Sequence, residues 1–376
     1  RIGFDGKRAV QNFTGLGNYS RYVADILCHF YPENDYVLYA PKKRENKRMN
    51  LLTGQYRQLT LAYPATSFWK KLSSLWRVWG ITSQLEKEGI ELFHGLSNEL
   101  PLNIHKSRIK SIVTIHDLIF LRYPQYYQSI DRKIYTYKFR KACENADKII
   151  AISECTKRDI TRYFNIPDDK IEVVYQGCDV SFTHPVTEEK KEEVRKKYQL
   201  PDHYILNVGS IEERKNILAA VQALPMLPQH IHIVIVGRRT GYTKKVEQFI
   251  KDNGLGERVH IISNVPFNDL PAFYQSAEIF VYPSRFEGFG IPIIEALYSG
   301  IPVVAATGSC LEEAGGPDSI YVNPDDITGL ADAFKQIYSN SDKRKNMVEK
   351  GREFAKRFSE KQQSEEIINI YKKLIR

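Results

Sequence analysis

Short, strongly apolar runs alternating with longer amphipathic stretches are the feature that most limits how this chain can fold. Tyr36–Ala40, Ile109–Ile115, Tyr204–Val208, Ile231–Val236 and Ile279–Tyr282 are rich in Ile, Val and Tyr and have no wet face. Such runs suit strands covered on both sides, and the helical stretches between them supply the cover. Parallel neighbours need a crossover connection, so regular strand–helix alternation specifies α/β architecture with doubly wound parallel sheets. At 376 residues the chain is long enough for about two such domains, each with its own core. The charged, proline-containing segment 180–190 marks the linker, placing a first domain at 1–180 and a second at 181–359.

Chemistry concentrates in the stretch Pro283–Pro302, PSRFEGFGIPIIEALYSGIP. The strand Ile279–Tyr282 ends before it, and the chain turns through Gly288-Phe289-Gly290 into a helix near Ile291-Pro292. Proline is tolerated there because the first helical N–H groups lack intrahelical partners. Gly300 then stands where a helix closes in a left-handed residue. A helix start behind a glycine turn offers free N–H groups and a favourable dipole to an anion. Glu287 lies before the turn and Glu295 one turn into the helix. A carboxylate accepts two hydrogen bonds from a vicinal diol, each worth roughly 1.5–3 kcal/mol in a dry site. The arrangement suits sugar hydroxyls at both ends of a ligand with phosphate between them, the pattern of a nucleotide-sugar. The bland alternative is two solvated glutamates, which the glycine turn, the prolines and the flanking strands disfavour.

At these residues the chain resembles the retaining glycosyltransferases of family 4, whose signature sets a glutamate pair in E-G-F-G-x-P-x-x-E-A. The bacterial mannosyltransferase-like branch that builds surface polysaccharides is the nearest in character. The resemblance implies a GT-B fold, two Rossmann-like domains facing across a cleft that holds the active site. It also implies that helix 360–376 returns to the first domain. It assigns the ribose to Glu295. The transferred sugar goes to Glu287 with the amides of Gly288, Phe289 and Gly290, and the helix N-terminus at Ile291 offers positive charge to the leaving diphosphate.

Other positions take their roles from the same resemblance. The loop Gly209–Asn216 carries Arg214 and Lys215, implied to meet the donor diphosphate alongside Gly209. Two cations before a helix oppose its dipole, and that misfit itself suggests an anionic partner. Segment Ser263–Pro266, with Val265, is implied to line the base pocket through its backbone. Thr14–Tyr19 places Gly15 and Gly17 in a loop ahead of a helix from about Asn18, a second cradle for donor phosphates. His116-Asp117 ends a buried strand, where open α/β sheets bind ligands. A lone histidine is more often structural, but the family's matching histidine contacts the donor sugar, and that role passes to His116. Asp117 is expected to orient the histidine or the loop, and His94 is a weaker candidate on the acceptor side.

Five scattered cysteines in no metal-ligand spacing suit a reducing compartment. No secretory leader is visible and no apolar run approaches the ~20 residues of a membrane span, so the expected location is cytoplasmic. The formal charge of +9 points to phosphorylated substrates or an anionic membrane surface. No zinc-finger spacing, aromatic RNA signature or basic arm supports nucleic acid. All three tryptophans fall in SFWKKLSSLWRVWG. There Phe68, Trp69, Leu72, Leu75, Trp76 and Trp79 are expected to form one stripe that faces the core, with peripheral contact at the inner membrane face as the alternative.

The expected reaction moves a hexose, by branch resemblance mannose from GDP-mannose, from a GDP- or UDP-linked donor to a glycan or polyisoprenoid-linked acceptor, with retention. Glu287, Arg214, Lys215 and His116 are the expected catalytic set. No Asp-x-Asp metal motif and no pyridoxal-bearing lysine is recognisable, so neither a metal nor a cofactor is expected. Two other readings share the fold. A nucleotide-sugar epimerase would convert donor without acceptor, and a silent sugar-nucleotide-binding partner would have no need to keep Glu287, Glu295, His116 and Lys215.

Overall fold

The structure, a computed structural model, describes residues 1–375. Its strands lie in two sheets, every neighbouring pair parallel. The first contains β1 (Ile2–Asp5), β2 (Tyr36–Tyr39), β3 (Leu59–Ala62), β4 (Leu92–Gly95), β5 (Lys110–Ile115), β6 (Lys148–Ala151) and β7 (Ile171–Val173). Their order is β3-β2-β1-β4-β5-β6-β7. The second contains β8 (Tyr204–Val208), β9 (His232–Val236), β10 (Val259–Ile262), β11 (Ile279–Tyr282), β12 (Val303–Ala306) and β13 (Ile320–Val322), in the order β10-β9-β8-β11-β12-β13. β13 escapes a reading by periodicity because three residues carry too little pattern.

The fold is therefore α/β, with two doubly wound parallel-sheet units. One comprises Arg1–Tyr175 with the helix Glu360–Ile375, and the other Gln176–Ser359. Gln176–Val180, assigned from the sequence to the first domain, thus count with the second.

Alternation along each strand divides the core of the first unit in two. Tyr36 and Leu38 face a cluster with Val23, Leu27 and, from the last helix, Ile367 and Tyr371. Val37 and Tyr39 face another with Trp76, Leu85 and Phe93. In each sheet the winding reverses beside the first strand, since β1 lies between β2 and β4, and β8 between β9 and β11. Loops leaving the carboxyl ends of such neighbours diverge and leave a crevice. The loops after β8 and β11 are placed by this rule.

The tryptophan segment departs from the single core-facing stripe. Two adjacent helical faces share its aromatic residues. Trp69, Ser73, Trp76 and Gly80 turn inward, whereas Phe68, Leu72, Leu75 and Trp79 are exposed. Small residues select the inner face, because the Trp69 ring lies where a Cβ on Gly80 would come within 2.6 Å. Trp76 is fully buried and its indole N–H donates to Gln84 at 3.1 Å. A π-helical turn over Trp76–Gly80 closes the segment.

Arg77, in that turn, anchors the segment to the sheet. Its Nε donates to Asp5 at 3.0 and 3.2 Å, and its Nη1 to Glu99 at 2.6 Å. Burial alone would raise the Glu99 carboxyl, but the Arg77 and Lys138 cations outweigh it and hold it at about 2. Removing one partner of a buried pair strands the other charge and costs about 3–5 kcal/mol. Arg77→Met is thus expected to destabilise the first unit by that amount in denaturant unfolding, and adding Asp5→Asn to recover part of it. A loss below ~1 kcal/mol would show that the network does not hold the segment.

Candidate functional site

The turn after β11 is shaped by backbone that only glycine adopts easily. Gly290 has φ +156°, and a Cβ there would lie 3.1 Å from the Ala314 methyl. It directly precedes the helix Ile291–Ser299, which carries Pro292 in its first turn. Gly300 closes that helix in the left-handed region, with its N–H on Leu297 and the Ile301 N–H on Ala296. The Phe289 side chain is buried against Phe358, with centroids 5.6 Å apart, so Phe289 brings backbone to the turn and its ring to the core. Cys310 fastens the turn from behind, its thiol donating to the carbonyls of Glu287 at 3.0 Å and Phe289 at 2.7 Å.

Glu287 is the hub. Its Oε2 lies 2.8 Å from Arg214 Nη1, and its Oε1 lies 3.3 Å from Lys215 Nζ. Ser284 and Tyr282 donate to the same Oε1 at 2.9 and 3.2 Å. Lys215 in turn donates to Tyr282 at 3.1 Å and lies against Gly209, where a Cβ would come within 3.2 Å of its Nζ. The structure thus brings Arg214, Lys215, Gly209 and Glu287 together. Burial would raise the Glu287 carboxyl, yet Lys215 and Arg214 hold it at about 2. Burial would lower both cations, yet Glu287 raises them, so all three groups stay charged.

The expected clash of these cations with a helix dipole does not arise. Arg214 and Lys215 occupy a 3₁₀ turn, Glu213–Lys215, and the helix Ile217–Ala223 begins only after Asn216 at φ +54°. A carboxylate is already their counter-charge. A second carboxylate, Glu212, lies 3.8 Å from Arg214 and 3.9 Å from Arg238, so three cations meet two acids here.

Glu295 has separate surroundings and shares no partner with Glu287 among the described residues. Its Oε2 accepts from Tyr274 at 2.6 Å. Burial pushes its carboxyl up to about 7, the Tyr274 hydroxyl opposing and Asp179 adding to the rise. Val265 is half-buried at the carboxyl end of the edge strand β10, next to Asn264 at φ +60°.

Tyr274, Tyr282, Ser284 and Cys310 were not found by sequence reasoning. Ser284, three residues ahead of Glu287, left a local signal. Tyr274 left none, since its contact spans positions on two different helices.

In the first unit, His116 follows β5. Its backbone N–H donates to Asn98 at 2.7 Å, and its Nε2 lies 2.9 Å from the Leu96 carbonyl. That contact requires the proton on Nε2. Burial lowers the ring to about 4, against the Leu96 bond and with Arg8 assisting, so His116 is a neutral imidazole at pH 7. Asp117 accepts from the Ile119 N–H at 3.1 Å and so organises the loop. His94 does not serve as an acceptor-side group. It is fully buried, with one ring nitrogen 2.6 Å from the Tyr371 hydroxyl and the other 2.8 Å from Thr114. The two glycines of the N-terminal loop also part company. The helix starts at Gly15, and Gly17 lies in its first turn. A Cβ on Gly17 would sit 2.0 Å from the Asn12 carbonyl, so close chain packing demands this glycine. Nothing lies within 4 Å of a Cβ built on Gly15.

Comparison with known proteins agrees with both units. Residues 188–354 match the family Glycosyl transferases group 1, and residues 20–182 match Glycosyltransferase Family 4. O-antigen chain mannosyltransferase B of Escherichia coli is 30% identical over 289 residues, covering 75% of this chain and 74% of that protein. O-antigen chain mannosyltransferase RfbU of Salmonella typhimurium is 29% identical over 225 residues, which span 60% of each chain. Among solved structures, Anabaena Alr3699/HepE in complex with UDP superposes with a TM-score of 0.79 at 17% identity over the full length of both. Sucrose-phosphate synthase of Thermosynechococcus elongatus does so at 0.78 and 20% identity, covering 99% of this chain and 98% of that one. At such identities these two structures speak for the fold.

The two glutamates give opposite pH dependences. Glu287, depressed from 4.5 to about 2, stabilises the fold fully above 4.5 and loses that contribution as pH falls toward 2. Glu295, raised from 4.5 to about 7, keeps its proton in the fold while the unfolded chain releases it, so stability falls as pH rises between those values. Between pH 4.5 and 7 the second unit is expected to lose about 2–3 kcal/mol relative to Glu295→Gln. Urea unfolding at both pH values measures this, and parallel profiles would refute the assignment.

Proposed function

The chain belongs to the group 1, family 4 glycosyltransferases, and on that premise we propose that it moves a hexosyl group from a nucleotide diphosphate sugar to a glycan acceptor. The observation that carries this reading is the charged hub at the switch point of the second sheet. Arg214 and Lys215 stay protonated, are held by Glu287, and stand beside the turn that opens the helix Ile291–Ser299. A diphosphate leaving group needs that charge, already organised before the reaction begins. In this reading Glu295 accepts hydrogen bonds from the ribose. Glu287 with the amides of Gly288–Gly290 holds the transferred sugar, Val265 supports the base, and His116 contacts the sugar.

The donor chemistry we propose is GDP-mannose, supported by the mannosyltransferase relatives from Escherichia coli and Salmonella typhimurium. Those relatives also support a place in the assembly of a surface polysaccharide. We propose retention through a front-face step. The acceptor oxygen bonds to the anomeric carbon on the face from which the diphosphate oxygen departs, and the acceptor proton passes to that leaving oxygen. Arg214, Lys215 and the helix terminus stabilise the diphosphate as its charge grows.

A panel of labelled sugar nucleotides, screened for binding and turnover with and without acceptor, tests the reading. GDP-mannose is expected to bind, and Glu295→Ala to weaken GDP about 10- to 100-fold in calorimetry through loss of its hydrogen bonds to the ribose. Absence of binding by every sugar nucleotide would overturn the function, and conversion of donor without acceptor would make the protein an epimerase. Turnover is further expected to persist in excess EDTA, because fixed cations take the part of a divalent ion. Activity abolished by chelation and restored by magnesium or manganese would refute this.

A further inference from the structure

The exposed face of the tryptophan segment plays no part in the site. Phe68, Leu72, Leu75 and Trp79 recur at helical spacing, and Phe68, Leu75 and Trp79 are 61%, 51% and 49% exposed. A second such face lies on the helix Ser129–Asn145, where Ile130, Ile134 and Tyr137 recur at the same spacing, Ile130 being 69% and Tyr137 56% exposed. The two elements meet at one carboxylate. Arg77 of the first lies 2.6 Å from Glu99, and Lys138 of the second lies 3.5 Å from the same acid. Both also rest on one loop, through Asn103 Nδ2 to the Trp79 carbonyl at 3.1 Å and Asn145 Nδ2 to the Leu102 carbonyl at 3.0 Å. Two apolar strips thus belong to one side of the first unit.

Cations rim both strips. Lys70, Lys71, Lys133 and Arg140 are exposed, and Lys138 follows Ile134 by one helical turn. Of the acids nearby, Glu99 is neutralised by Arg77 and Lys138, and Glu144 is paired with Lys141 at 2.6 Å, which leaves Asp131. A soluble surface rarely keeps large apolar side chains in register on two neighbouring elements without a partner. A protein partner selects for shape, whereas a bilayer selects for this combination: aromatic and aliphatic tips level with lysine and arginine. No helix of the described residues is long and apolar enough to cross a membrane, so the contact is with a surface.

We propose that this paired face, Phe68–Leu72–Leu75–Trp79 with Ile130–Ile134–Tyr137, docks the first unit on an anionic phospholipid bilayer. The apolar tips enter the headgroup boundary, and the lysines meet the phosphates. The buried Arg77–Asp5 and Arg77–Glu99 pairs hold one strip at a fixed height against the sheet, so the face is formed before contact. Docking does not depend on the donor reading, but it would bring the enzyme to acceptors carried on membrane lipids.

Sedimentation of the full chain with large unilamellar vesicles tests the proposal, without donor present. Vesicles of phosphatidylglycerol and phosphatidylethanolamine are expected to carry the protein down, phosphatidylcholine vesicles not, and added salt to release it. Lys71→Ala and Lys133→Ala should each weaken partitioning about fivefold. Leu75→Ser with Trp79→Ser should abolish it, while Met226→Ser, an exposed apolar position of the second unit, should leave it intact. Brominated lipid should quench tryptophan emission in the wild type and much less in Trp79→Phe, because Trp76 is enclosed and Trp69 turns inward onto Gly80. Calorimetry with GDP on each variant separates failure of docking from failure of donor binding. Vesicle binding that survives Leu75→Ser with Trp79→Ser overturns the proposal. So does a dimer seen in ultracentrifugation that those substitutions dissociate with no vesicle binding, which would make the occupant a second copy of this chain.

Discussion

The bridge from Glu287 to Arg214 and Lys215 is the interaction that holds the candidate site of the second unit together. It joins the loop leaving β8 to the loop leaving β11, at the place where the winding of the sheet reverses. Backbone contacts follow the same seam, since Arg285 N–H donates to the Arg214 carbonyl at 2.9 Å and Asn216 reaches the Pro283 carbonyl at 3.2 Å. Diverging loops would otherwise be free to move apart. Tied together, they hold two cations in a fixed place, which is what electrostatic preorganisation requires.

Glu287 and Glu295 show how far environment, and not residue type, decides a carboxylate's state. Both are desolvated. Glu287 faces two cations and remains ionised almost to the acid limit, whereas Glu295 faces a neutral tyrosine and a nearby aspartate and holds its proton to about 7. Opposite environments on one loop-and-helix unit suit opposite tasks, a permanent charge on one side and an adjustable hydrogen-bonding group on the other. The histidines of the first unit divide in a similar way. His94 spends both ring nitrogens on Tyr371 and Thr114 inside the core, and His116 fixes one on the Leu96 carbonyl.

Arg77 links the stability of the first unit to its surface. Its guanidinium joins the end of β1, through Asp5, to Glu99, and so fixes which face of the tryptophan segment turns outward. A buried ion pair of this kind adds little net stability, but it sets register at a place where two adjacent apolar faces compete.

By itself the sequence determined the architecture. Apolar runs without a wet face can only be strands covered on both sides, and the helical stretches between them force parallel pairing. It also supplied the glycine turn, the two glutamates and the basic pair as local patterns. Tertiary structure decided what these residues do to one another. That Lys215 and Arg214 meet Glu287, that Tyr274 meets Glu295, and that His94 is spent on Tyr371 are contacts between segments far apart in the chain, on which local periodicity is silent. The same holds for Gly17 and for the two faces of the tryptophan segment. Helical spacing shows which residues lie side by side, but which face is buried depends on what packs against it, here a ring laid over Gly80 and an arginine drawn to Asp5.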